Sequence, residues 1–587
     1  MAFTLKRTHY CNQLKEENID ETVNLNGFVH NRRDHGGIIF IDLRDRFGLT
    51  QIVFDPKYEK KCHETADSLR REDVIAVKGK VFARMEGMEN PNLETGKIEV
   101  YVSELEIISK AQTPPLEVDD RIVANDEQRL KYRYIDLRRP VMQNNLLLRH
   151  KVIASARDFF NSNDFLDIET PMLVRSTPEG ARDFLVPSRV NPGNFYALPQ
   201  SPQLYKQILM ISGCDRYYQI PKCLRDEDLR ADRQPEHTQI DFEMSFVDSE
   251  DIMAYVESLL KKIIKEVLGK ELETPFERLT YEQAMSLYGT DKPDLRFGLT
   301  LTDVSEIVKD CGFEVFTKAV KNGGIVKCIN PECDLGRKEI DSLIDFSIKS
   351  GAKGMAWMRV TENGLESNIA KFFDEETKKK LIETTGAKPG SVLMFIADNV
   401  KTTNKVIDLL RQELARRLGL IDDNILKFAW ITDFPLFSWN EEEEKWEPEH
   451  HMFSMPKEEH MEYLDTDPGK VKGDLFDLAL NGVELGSGSI RIHDPEIQKK
   501  VMKVIGLDEK EADEKFGFLL EAYKYGCPVH GGMGIGLDRF VALLLGTNDI
   551  REVIAFPKNK AAQCPMDKSP GPVGKEQLKE LNIKLLK

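Results

Sequence analysis

The chain has 587 residues, of which 41% are hydrophobic and 31% charged, a composition typical of a water-soluble globular protein of about two to four domains. A formal net charge of −17 argues against a protein that coats nucleic acid, although a specific RNA site needs only a local basic patch. No apolar run approaches the ~20 residues of a membrane helix, and the N-terminal residues lack a signal-peptide core. We therefore expect a cytoplasmic protein with no membrane partner.

Residues 1–110 contain short runs of alternating apolar and polar residues, which are typical of strands. Turn signals at residues 34–37 and 46–48 separate the first of them. About five strands and one helix in this span favour an OB-like barrel, whose strand face often binds single-stranded nucleic acid. The predicted strands are residues 22–25, 27–29, 38–41, 74–77 and 97–102, and the predicted helix is 63–72.

Beyond the barrel, Pro114-Pro115 opens a linker because paired prolines stiffen the chain, and we assign residues 111–140 to a hinge. Residues 141–289 then begin a second domain, with a predicted helix at 144–161 and a strand at 165–170 that ends at Pro171. Residues 290–422 differ in character and predict an inserted α/β domain, and residues 423–587 return to the second domain and add a C-terminal extension. In the inserted domain, helices are predicted at 301–311 and 337–350 and a strand at 354–360.

The segment 225–241 is a dense charged loop with an arginine at its entry and an alternating strand after it. This layout suits a strand–loop–strand clamp around a phosphate-bearing ligand, because the guanidinium fork of Arg225 matches phosphate and carboxylate geometry. Charge-rich loops are more often only solvated surface, so the loop by itself leaves both interpretations open.

Two further segments carry groups suited to phosphate chemistry. Residues 530–545 read as a glycine-rich turn before a buried helix, which places Arg539 at a strand-to-helix junction that favours a phosphate. In residues 477–493, Asp477 and Glu484 are oxygen ligands suited to Mg²⁺, and Arg491 follows small residues that leave room for a ligand. Alternatively, this segment is a simple hairpin with an exposed arginine.

Taken together, these segments resemble the class II aminoacyl-tRNA synthetases, and most closely the bacterial-type aspartyl-tRNA synthetases. The three class II motifs occur in order: a helix followed by residues 165–173, the charged loop with Arg225, and residues 534–539. Aspartate-type strings lie at residues 177–183, 200–207 and 555–558. The resemblance implies an α+β multidomain fold: an N-terminal OB-fold β-barrel, an antiparallel-sheet catalytic domain and the inserted α/β domain.

The resemblance also implies the reaction and its partners. ATP and L-aspartate would form aspartyl-adenylate, and the aspartyl group would then pass to tRNA; Mg²⁺ would assist, held by Asp477 and Glu484. Arg225, Glu484 and Arg539 would be the catalytic residues. Dimerisation is expected, because motif 1 forms the subunit interface of the family. By the same resemblance, the ATP site would comprise Arg225, Asp226, Glu227, Gln234, His237, Glu484, Gly536, Leu537, Asp538 and Arg539, and the aspartate site Glu179, Gln203, Lys206, Arg225, Asp241, His450 and Arg491.

In the barrel, Phe40 matches the family's aromatic residue that stacks on an anticodon base, with Arg33 and Gln51 as polar readers. Relatives that charge both tRNA(Asp) and tRNA(Asn) carry histidine before the glycine of the first turn and glycine in a later loop. This chain has His35 and Gly87 at those places, so dual charging is expected. The alternative is an enzyme that charges tRNA(Asp) only.

Two positions depart from the family pattern. His237 stands where an adenine-stacking phenylalanine is usual. An imidazole can still stack, but its fit on adenine is expected to be mildly pH-sensitive near the ordinary histidine pKa of ~6.5. Asp164 stands where glycine is common. Neither change removes a charge that the reaction needs. A tRNA-independent asparagine synthetase would lack the barrel, and an inactive RNA-binding paralogue would not need Arg225, Glu484, Arg491 and Arg539.

Overall fold

A computed structural model of the chain describes residues 3–121, 124–177 and 181–586. These residues form two compact units, one of Met1–Arg149 with Arg551–Pro572 and one of His150–Ile550 with Val573–Lys587. The domain boundaries that the sequence suggests stay predictions. No helix in the described part of the chain is both long and apolar enough to cross a membrane.

Both units contain strands and helices. The strands are β1 (Thr22–His35), β2 (Ile38–Asp45), β3 (Gly48–Phe54), β4 (Val74–Ala83), β5 (Ile98–Ser109), β6 (Leu166–Asp167), β7 (Leu185–Pro187), β8 (Phe195–Ala197), β9 (Arg216–Gln219), β10 (Lys222–Leu224), β11 (Glu236–Ser245), β12 (Glu277–Thr280), β13 (Leu301–Asp303), β14 (Ile325–Ile329), β15 (Ala356–Thr361), β16 (Gly364–Glu366), β17 (Val392–Asp398), β18 (Phe428–Thr432), β19 (Phe437–Asn440), β20 (Lys445–Pro448), β21 (Leu475–Leu480), β22 (Val483–Ile490) and β23 (His530–Gly536). The α-helices are α1 (Lys60–Ala66), α2 (Asp126–Lys131), α3 (Arg133–Asp136), α4 (Pro140–Ser162), α5 (Gln203–Ile211), α6 (Ser249–Leu268), α7 (Tyr281–Tyr288), α8 (Ser305–Val308), α9 (Glu314–Lys321), α10 (Arg337–Lys349), α11 (Glu375–Thr385), α12 (Val400–Arg417), α13 (Pro495–Val504), α14 (Glu509–Tyr523), α15 (Leu537–Leu544) and α16 (Lys575–Glu580).

The first unit contains a closed five-stranded barrel in the order β1-β2-β3-β5-β4, which confirms the predicted OB-like fold. Successive side chains of a strand point to opposite faces, so Ile39 and Ile41 are fully buried in the barrel core. Phe40, between them, remains half-buried. This alternation places the predicted base-stacking ring on the outer face of the barrel.

The helix predicted at residues 63–72 is wrong in its position, since α1 ends at Ala66. Its start is capped by Glu59, which accepts a hydrogen bond from the backbone N–H of Lys61. Beyond its end, the Asp73 carboxylate accepts from the backbone N–H of Arg70, and Glu72 has a φ of 68°. A left-handed residue cannot continue a right-handed helix, so apolar spacing alone misplaces this element.

The second unit is organised around a nine-stranded sheet in the order β12-β18-β21-β22-β23-β11-β9-β6, with β10 paired to β11. Neighbouring strands of this sheet are antiparallel, except for the parallel pairs β12–β18 and β6–β9. The predicted antiparallel catalytic sheet is therefore confirmed. Motif 1 contributes α4 and the short edge strand β6, motif 2 contributes β10 and β11, and motif 3 contributes β23 and α15.

A separate five-stranded sheet, β13-β14-β17-β15-β16, forms the inserted α/β layer between β12 and β18 in the sequence. The predicted helix at 337–350 and the predicted strand at 354–360 correspond to α10 and β15. The helix predicted at 301–311 is wrong: residues 301–303 pair with β14, and only Ser305–Val308 is helical. The Ser305 hydroxyl accepts the backbone N–H of Val326, which ties this short apolar run to the sheet.

Candidate active site

The glycines of β23 create the floor of a cavity at the centre of the nine-stranded sheet. A Cβ on Gly532 would lie 2.1 Å from the Phe242 carbonyl oxygen and 2.2 Å from Glu243 Oε2, so no side chain fits there. Strands β11, β22 and β23 thus pack closely while the face above them stays open. The resulting cavity has a volume of about 520 Å³ and is lined mainly by charged and polar side chains.

At one end of the cavity lie two buried cations and two buried carboxylates. Lys206 Nζ is 2.8 Å from Asp241 Oδ1 and 3.2 Å from Glu243 Oε2. Arg491 donates from Nε to Glu243 Oε1 at 2.8 Å and from Nη2 to Glu243 Oε2 at 3.1 Å. Burial opposes ionisation of Glu243, but Arg491 and Lys206 lower its pKa to about 2, whereas burial raises the pKa of Asp241. Arg491 is therefore buried, and its alternative interpretation as an exposed hairpin arginine is wrong.

A second contact fixes the remaining edge of the Arg491 guanidinium. Its Nη1 donates to His451 Nε2 at 2.7 Å and to Ser489 Oγ at 2.5 Å. Burial and the neighbouring Arg491 lower the pKa of His451 well below its ordinary value, so this imidazole is neutral and accepts the bond. A rigid, fully hydrogen-bonded guanidinium suits recognition of a planar carboxylate.

Asp477 and Glu484 project from the β21–β22 hairpin toward the middle of the cavity. Asp477 Oδ1 accepts the Ser487 hydroxyl and lies 2.9 Å from His450 Nε2. Burial opposes the charge on His450, but Asp477 outweighs it and raises the pKa of His450 to about 9. Burial and Asp477 raise the pKa of Glu484, so two carboxylates repel each other across this part of the site.

Arg225 enters the cavity from the end of β10, as the charged-loop pattern predicts. Its backbone N–H donates to the Pro235 carbonyl, and its buried Nε has no hydrogen-bond partner among the described residues. The buried Gln203 Nε2 and Asp241 Oδ2 also lack partners within this part of the chain. Buried polar atoms are normally satisfied, so these atoms indicate places where a ligand would complete the bonding.

His237 faces the same cavity from β11. Burial and the nearby Arg225 lower its pKa to about 4. The sequence-based expectation of pH sensitivity near 6.5 is therefore wrong, because the ring is already neutral at that pH. A neutral imidazole remains able to stack on a flat ring.

The junction of β23 and α15 closes the cavity opposite Arg225. Asp538 Oδ2 accepts the backbone N–H of Thr238 at 2.7 Å, which ties α15 to β11. Arg539 Nη1 donates to the Glu484 carbonyl oxygen, and its Nη2 lies 3.7 Å from Asp232 Oδ2. These contacts place a partly exposed guanidinium 4.0 Å from the Glu484 carboxylate.

Most of the predicted ligand residues therefore meet in one cavity. Asp226 and Leu537 do not line it: the Asp226 N–H bonds the Arg182 carbonyl, and Leu537 is buried at the start of α15. Glu179 lies outside the described residues. The cavity wall holds the following predicted residues: Gln203, Lys206, Arg225, Glu227, Gln234, His237, Asp241, His450, Asp477, Glu484, Arg491, Gly536, Asp538 and Arg539.

Sequence reasoning missed Glu243 and Asp291. Glu243 lies two residues after Asp241 on β11, and this spacing puts both side chains on one face of the strand. That periodicity could have identified Glu243. Asp291 lines the cavity from a loop after α7, and no local pattern marks it.

In the barrel unit, a polar network surrounds the half-buried Phe40. Arg33 and Phe40 are paired across β1 and β2. Arg33 bonds both Asp42 oxygens, at 3.0 and 2.7 Å, and reaches Gln51 Oε1 at 3.2 Å. Gln51 in turn donates to Glu99 at 2.9 Å. The three predicted anticodon residues thus share one face of the barrel.

The two residues predicted to govern tRNA choice occupy different loops of that unit. His35 ends β1 before a Gly36-Gly37 turn, and its ring centroid is 6.3 Å from that of Phe40. Gly87 has a φ of 80° in the loop between β4 and β5, with open space around its Cα. An L-residue at position 87 would be strained.

Residues 125–560 match the family model described as tRNA synthetases class II (D, K and N), and residues 23–108 match the OB-fold nucleic acid binding domain. The chain is a class II tRNA synthetase. The synthetase is 53% identical over its whole length to the Aspartate--tRNA(Asp/Asn) ligase of Desulfatibacillum aliphaticivorans, of which it covers 98%. It is 51% identical to the Aspartate--tRNA ligase of Ruminiclostridium cellulolyticum, with 99% of each chain covered.

Solved structures share the fold of the synthetase. Asparaginyl-tRNA synthetase from Pyrococcus horikoshii, complexed with asparaginyl-adenylate, has a TM-score of 0.60 at 19% identity, covering 94% of this chain and 98% of its own. Aspartyl tRNA synthetase from Entamoeba histolytica has a TM-score of 0.58 at 19% identity, covering 94% and 92%. At these identities the likeness concerns the fold alone.

Proposed function

We propose that this synthetase joins L-aspartate to ATP as aspartyl-adenylate and then transfers the aspartyl group to tRNA(Asp) and tRNA(Asn). The observation that carries the proposal is the buried set of Lys206, Asp241, Glu243 and Arg491 beside an arginine-lined cavity. Full-length relatives at 50% identity or more that are named Aspartate--tRNA(Asp/Asn) ligase support the same reaction.

The aspartate site follows from the charges of its substrate, which has two carboxylates and one ammonium. Arg491 and Lys206 would bind the side-chain carboxylate, because a guanidinium prefers a carboxylate to a neutral amide. Asp241 and Gln203 would receive the ammonium group, together with Glu179. His450 would close the site from the loop after β20.

ATP would lie across the middle of the cavity. Arg225 would contact the α-phosphate and the reacting carboxylate, and Arg539 the γ-phosphate, while His237 would stack on adenine. Glu227, Gln234, Gly536 and Asp538 would complete this wall, and Asp226 and Leu537 would support it from behind. The aspartate α-carboxylate oxygen forms a bond to the α-phosphorus as the bond to pyrophosphate breaks. Catalysis then rests on positioning and charge neutralisation rather than on a protein nucleophile.

Asp477 and Glu484 fit a Mg²⁺ site. Their carboxylates repel each other, and a cation between them would remove that repulsion. No group of three or more histidine, cysteine or acidic side chains in the described residues is arranged for a metal ion, so phosphates and water would supply the other ligands. Bound Mg²⁺ would neutralise phosphate charge, and Arg225, Arg539 and Glu484 would do the remaining catalytic work.

In the second half-reaction, a ribose hydroxyl of the terminal tRNA adenosine attacks the aspartyl carbonyl and AMP leaves. Phe40, Arg33 and Gln51 would read the anticodon, and His35 with Gly87 would relax its selection. Relatives with and without Asn in their names are equally similar in sequence, so tRNA choice needs a direct test.

Exposed apolar side chains in motif 1 and shortly after it support a homodimer. Leu166 and Leu173 of motif 1 are 54% and 51% exposed, and Leu185 is 57% exposed. Burial of these side chains against a second copy would remove apolar surface from water. Light scattering of the purified protein would give the oligomeric state. Since the reaction serves translation, we infer a cytoplasmic location.

The proposal is tested by aspartate-dependent ATP–pyrophosphate exchange and by charging each purified tRNA. We expect exchange with aspartate and none with asparagine, followed by aspartylation of both tRNAs. Absence of aspartate-dependent exchange would contradict the reaction. If only tRNA(Asn) is not charged, the reaction stands and dual charging is refuted. In that case His35→Ala cannot be used to test tRNA choice, because the wild type has no activity on tRNA(Asn) for the change to remove.

A further inference from the structure

Arg411 of helix α12, in the inserted layer, is fully buried and has carbonyl groups for partners. Its Nη2 donates to the carbonyl oxygens of Asp294, Gly298 and Phe297 at 2.8, 3.0 and 3.2 Å. Its Nε donates to the Leu299 carbonyl at 3.0 Å. Four bonds from one guanidinium thus fix residues 294–299, the segment that leads from α7 into the inserted layer.

Two aromatic rings hold the Arg411 guanidinium in place. Its Cζ lies 4.2 Å from the centroid of Phe297 and 4.8 Å from that of Tyr288. Nη1 of Arg411 has no hydrogen-bond partner among the described residues, so the bonds from Nε and Nη2 and the two rings are what hold this buried charge. These partners belong to this segment and to the end of α7, not to the surface of α12. Arg411 is therefore an anchor for the loop and not a solubilising charge.

The anchored segment reaches the candidate active site in two places. Asp291, three residues before Asp294, lines the cavity together with Glu484, and its Oδ1 lies 3.3 Å from Lys292 Nζ. Asp294 packs on the turn of the β21–β22 hairpin: a Cβ on Gly482 would be 3.2 Å from the Asp294 Cβ. That hairpin carries Asp477 and Glu484.

The charges of Asp291 and Lys292, just before this segment, act in both directions. Lys292 contributes to the electrostatic environment of Glu484 in the cavity. Asp291 and Lys292 both contribute to that of Asp408, a half-buried residue of α12 one turn from Arg411. Residues 291–299 therefore lie between α12 and the β21–β22 hairpin, which carries Asp477 and Glu484.

We propose that Arg411 is a positioning residue for ATP: it fixes the segment 294–299, which keeps Asp291 against the cavity and supports the Glu484 hairpin. The inserted layer then acts on the first half-reaction. This inference rests on the proposed function, because it assigns ATP to this cavity. Aspartate should be unaffected, since Lys206 and Arg491 belong to α5 and to the end of β22.

The test is pyrophosphate exchange by the full chain carrying Arg411→Lys, Asp291→Ala or both. Lysine keeps the charge but cannot make four bonds, so we expect KM for ATP to rise about fivefold or more while KM for aspartate stays within about twofold. Because both changes act on one segment, the double variant should resemble Asp291→Ala rather than show the product of the two effects.

Arg359→Lys is the matched control. Arg359 also lies in the inserted layer and donates to a carbonyl, that of Leu335 at 2.8 Å, but it has no bond to residues 294–299 among the described contacts. Its KM for ATP should equal that of the wild type. Thermal melting of each variant separates a loss of folding from a change in ATP affinity.

Three results would overturn the inference: an unchanged KM for ATP in either single variant, an equal rise in KM for both substrates, or multiplicative effects in the double variant. Asp291 is half-exposed, so its substitution remains informative even if Arg411→Lys fails to fold. Loss of aspartate-dependent exchange in the wild type would instead refute the proposed function.

Discussion

Arg491 binds both carboxylate oxygens of Glu243, and both side chains are at most 2% exposed. The other donors of Arg491 bond to His451, Ser489 and the Gly532 carbonyl. A substrate carboxylate must therefore share or replace one of these bonds. These bonds within the protein hold the guanidinium in a fixed orientation, which lowers the cost of ordering it when aspartate binds.

Glu243→Gln should destabilise the fold by about 3–5 kcal/mol at neutral pH, because it leaves a buried arginine without its counter-charge. The pKa of Glu243 is lowered to about 2. Its charge-dependent stability is therefore fully present above its unfolded pKa of ~4.5 and declines as pH falls toward 2. Urea unfolding would measure the difference in free energy of unfolding between the wild type and Glu243→Gln. This difference should be smaller at pH 3.5 than at pH 7. Glu306→Gln, at an exposed position on α8, should show no such difference.

His450 should titrate near pH 9 in the free enzyme, and in Asp477→Asn its midpoint should fall, since only Glu484 and Glu449 then oppose the effect of burial on the ring. NMR of the imidazole would measure both midpoints. Because the folded pKa is raised, the stability that the pair contributes is complete below ~6.5 and is lost as pH rises through 9. A midpoint near 6.5 in the wild type would contradict the ion pair.

His237→Phe should make the fold more resistant to mild acid. The pKa of His237 is lowered to about 4, so the folded state disfavours the proton that the unfolded chain binds below ~6.5. The wild type therefore loses stability relative to the variant between pH 6.5 and 4, and denaturant unfolding at these two pH values would measure it. KM for ATP should vary with pH in the same way in both proteins from pH 6 to 8. A step near pH 6.5 in the wild type that is absent from His237→Phe would show that the ring is not neutral.

Glu484→Gln should lower kcat for pyrophosphate exchange by about 10²–10³-fold, as expected when one electrostatic partner of the transition state is removed. The raised pKa of Glu484 further implies that Mg²⁺ competes with a proton, so the Mg²⁺ concentration for half-maximal exchange should increase as pH falls. The variant should lose this pH dependence. Activation of the wild type by Mg²⁺ that does not change with pH would argue that Asp477, not Glu484, holds the ion.

Phe40→Ala should weaken tRNA charging and leave amino-acid activation intact. A base stacked on an aromatic ring is worth about 1–3 kcal/mol, which corresponds to a fall in kcat/KM for tRNA of roughly 5- to 150-fold. Pyrophosphate exchange, which needs no tRNA, is the internal control. Phe47→Ala, at an exposed ring in the β2–β3 turn, provides the matched variant. Equal effects of Phe40→Ala and Phe47→Ala on tRNA charging would contradict the proposal that Phe40 stacks on an anticodon base.

Much of the site could be predicted from the sequence because class II motifs pair residue types with local structure. Arg225 after β10 and Arg539 at the start of α15 are examples, and both lie in the cavity. The pKa of His237 could not be predicted, because it depends on burial and on Arg225, twelve residues away. Asp291 was missed since a long loop, not a repeat or a strand, brings it to the cavity.

The same contrast appears in the fold. Alternating apolar and polar residues predicted the barrel strands. In the structure the same alternation puts the side chains of Ile39 and Ile41 in the barrel core. The helix predicted at 301–311 does not form over its full length, because its first residues make their backbone hydrogen bonds with β14, a strand more than twenty residues away. Tertiary hydrogen bonds of this kind override local periodicity.

Gly532 contacts no substrate in the arrangement proposed above, yet it has no room for even a methyl group between Phe242 and Glu243. Any coding change at this position would push apart the strands that align Arg491 with its carboxylate. A genetic screen for loss of aspartate activation should therefore recover Gly532 alleles alongside Arg491 alleles. Such alleles should be dominant-negative if the variant subunit can still form the proposed homodimer with a wild-type subunit, and recessive if it cannot.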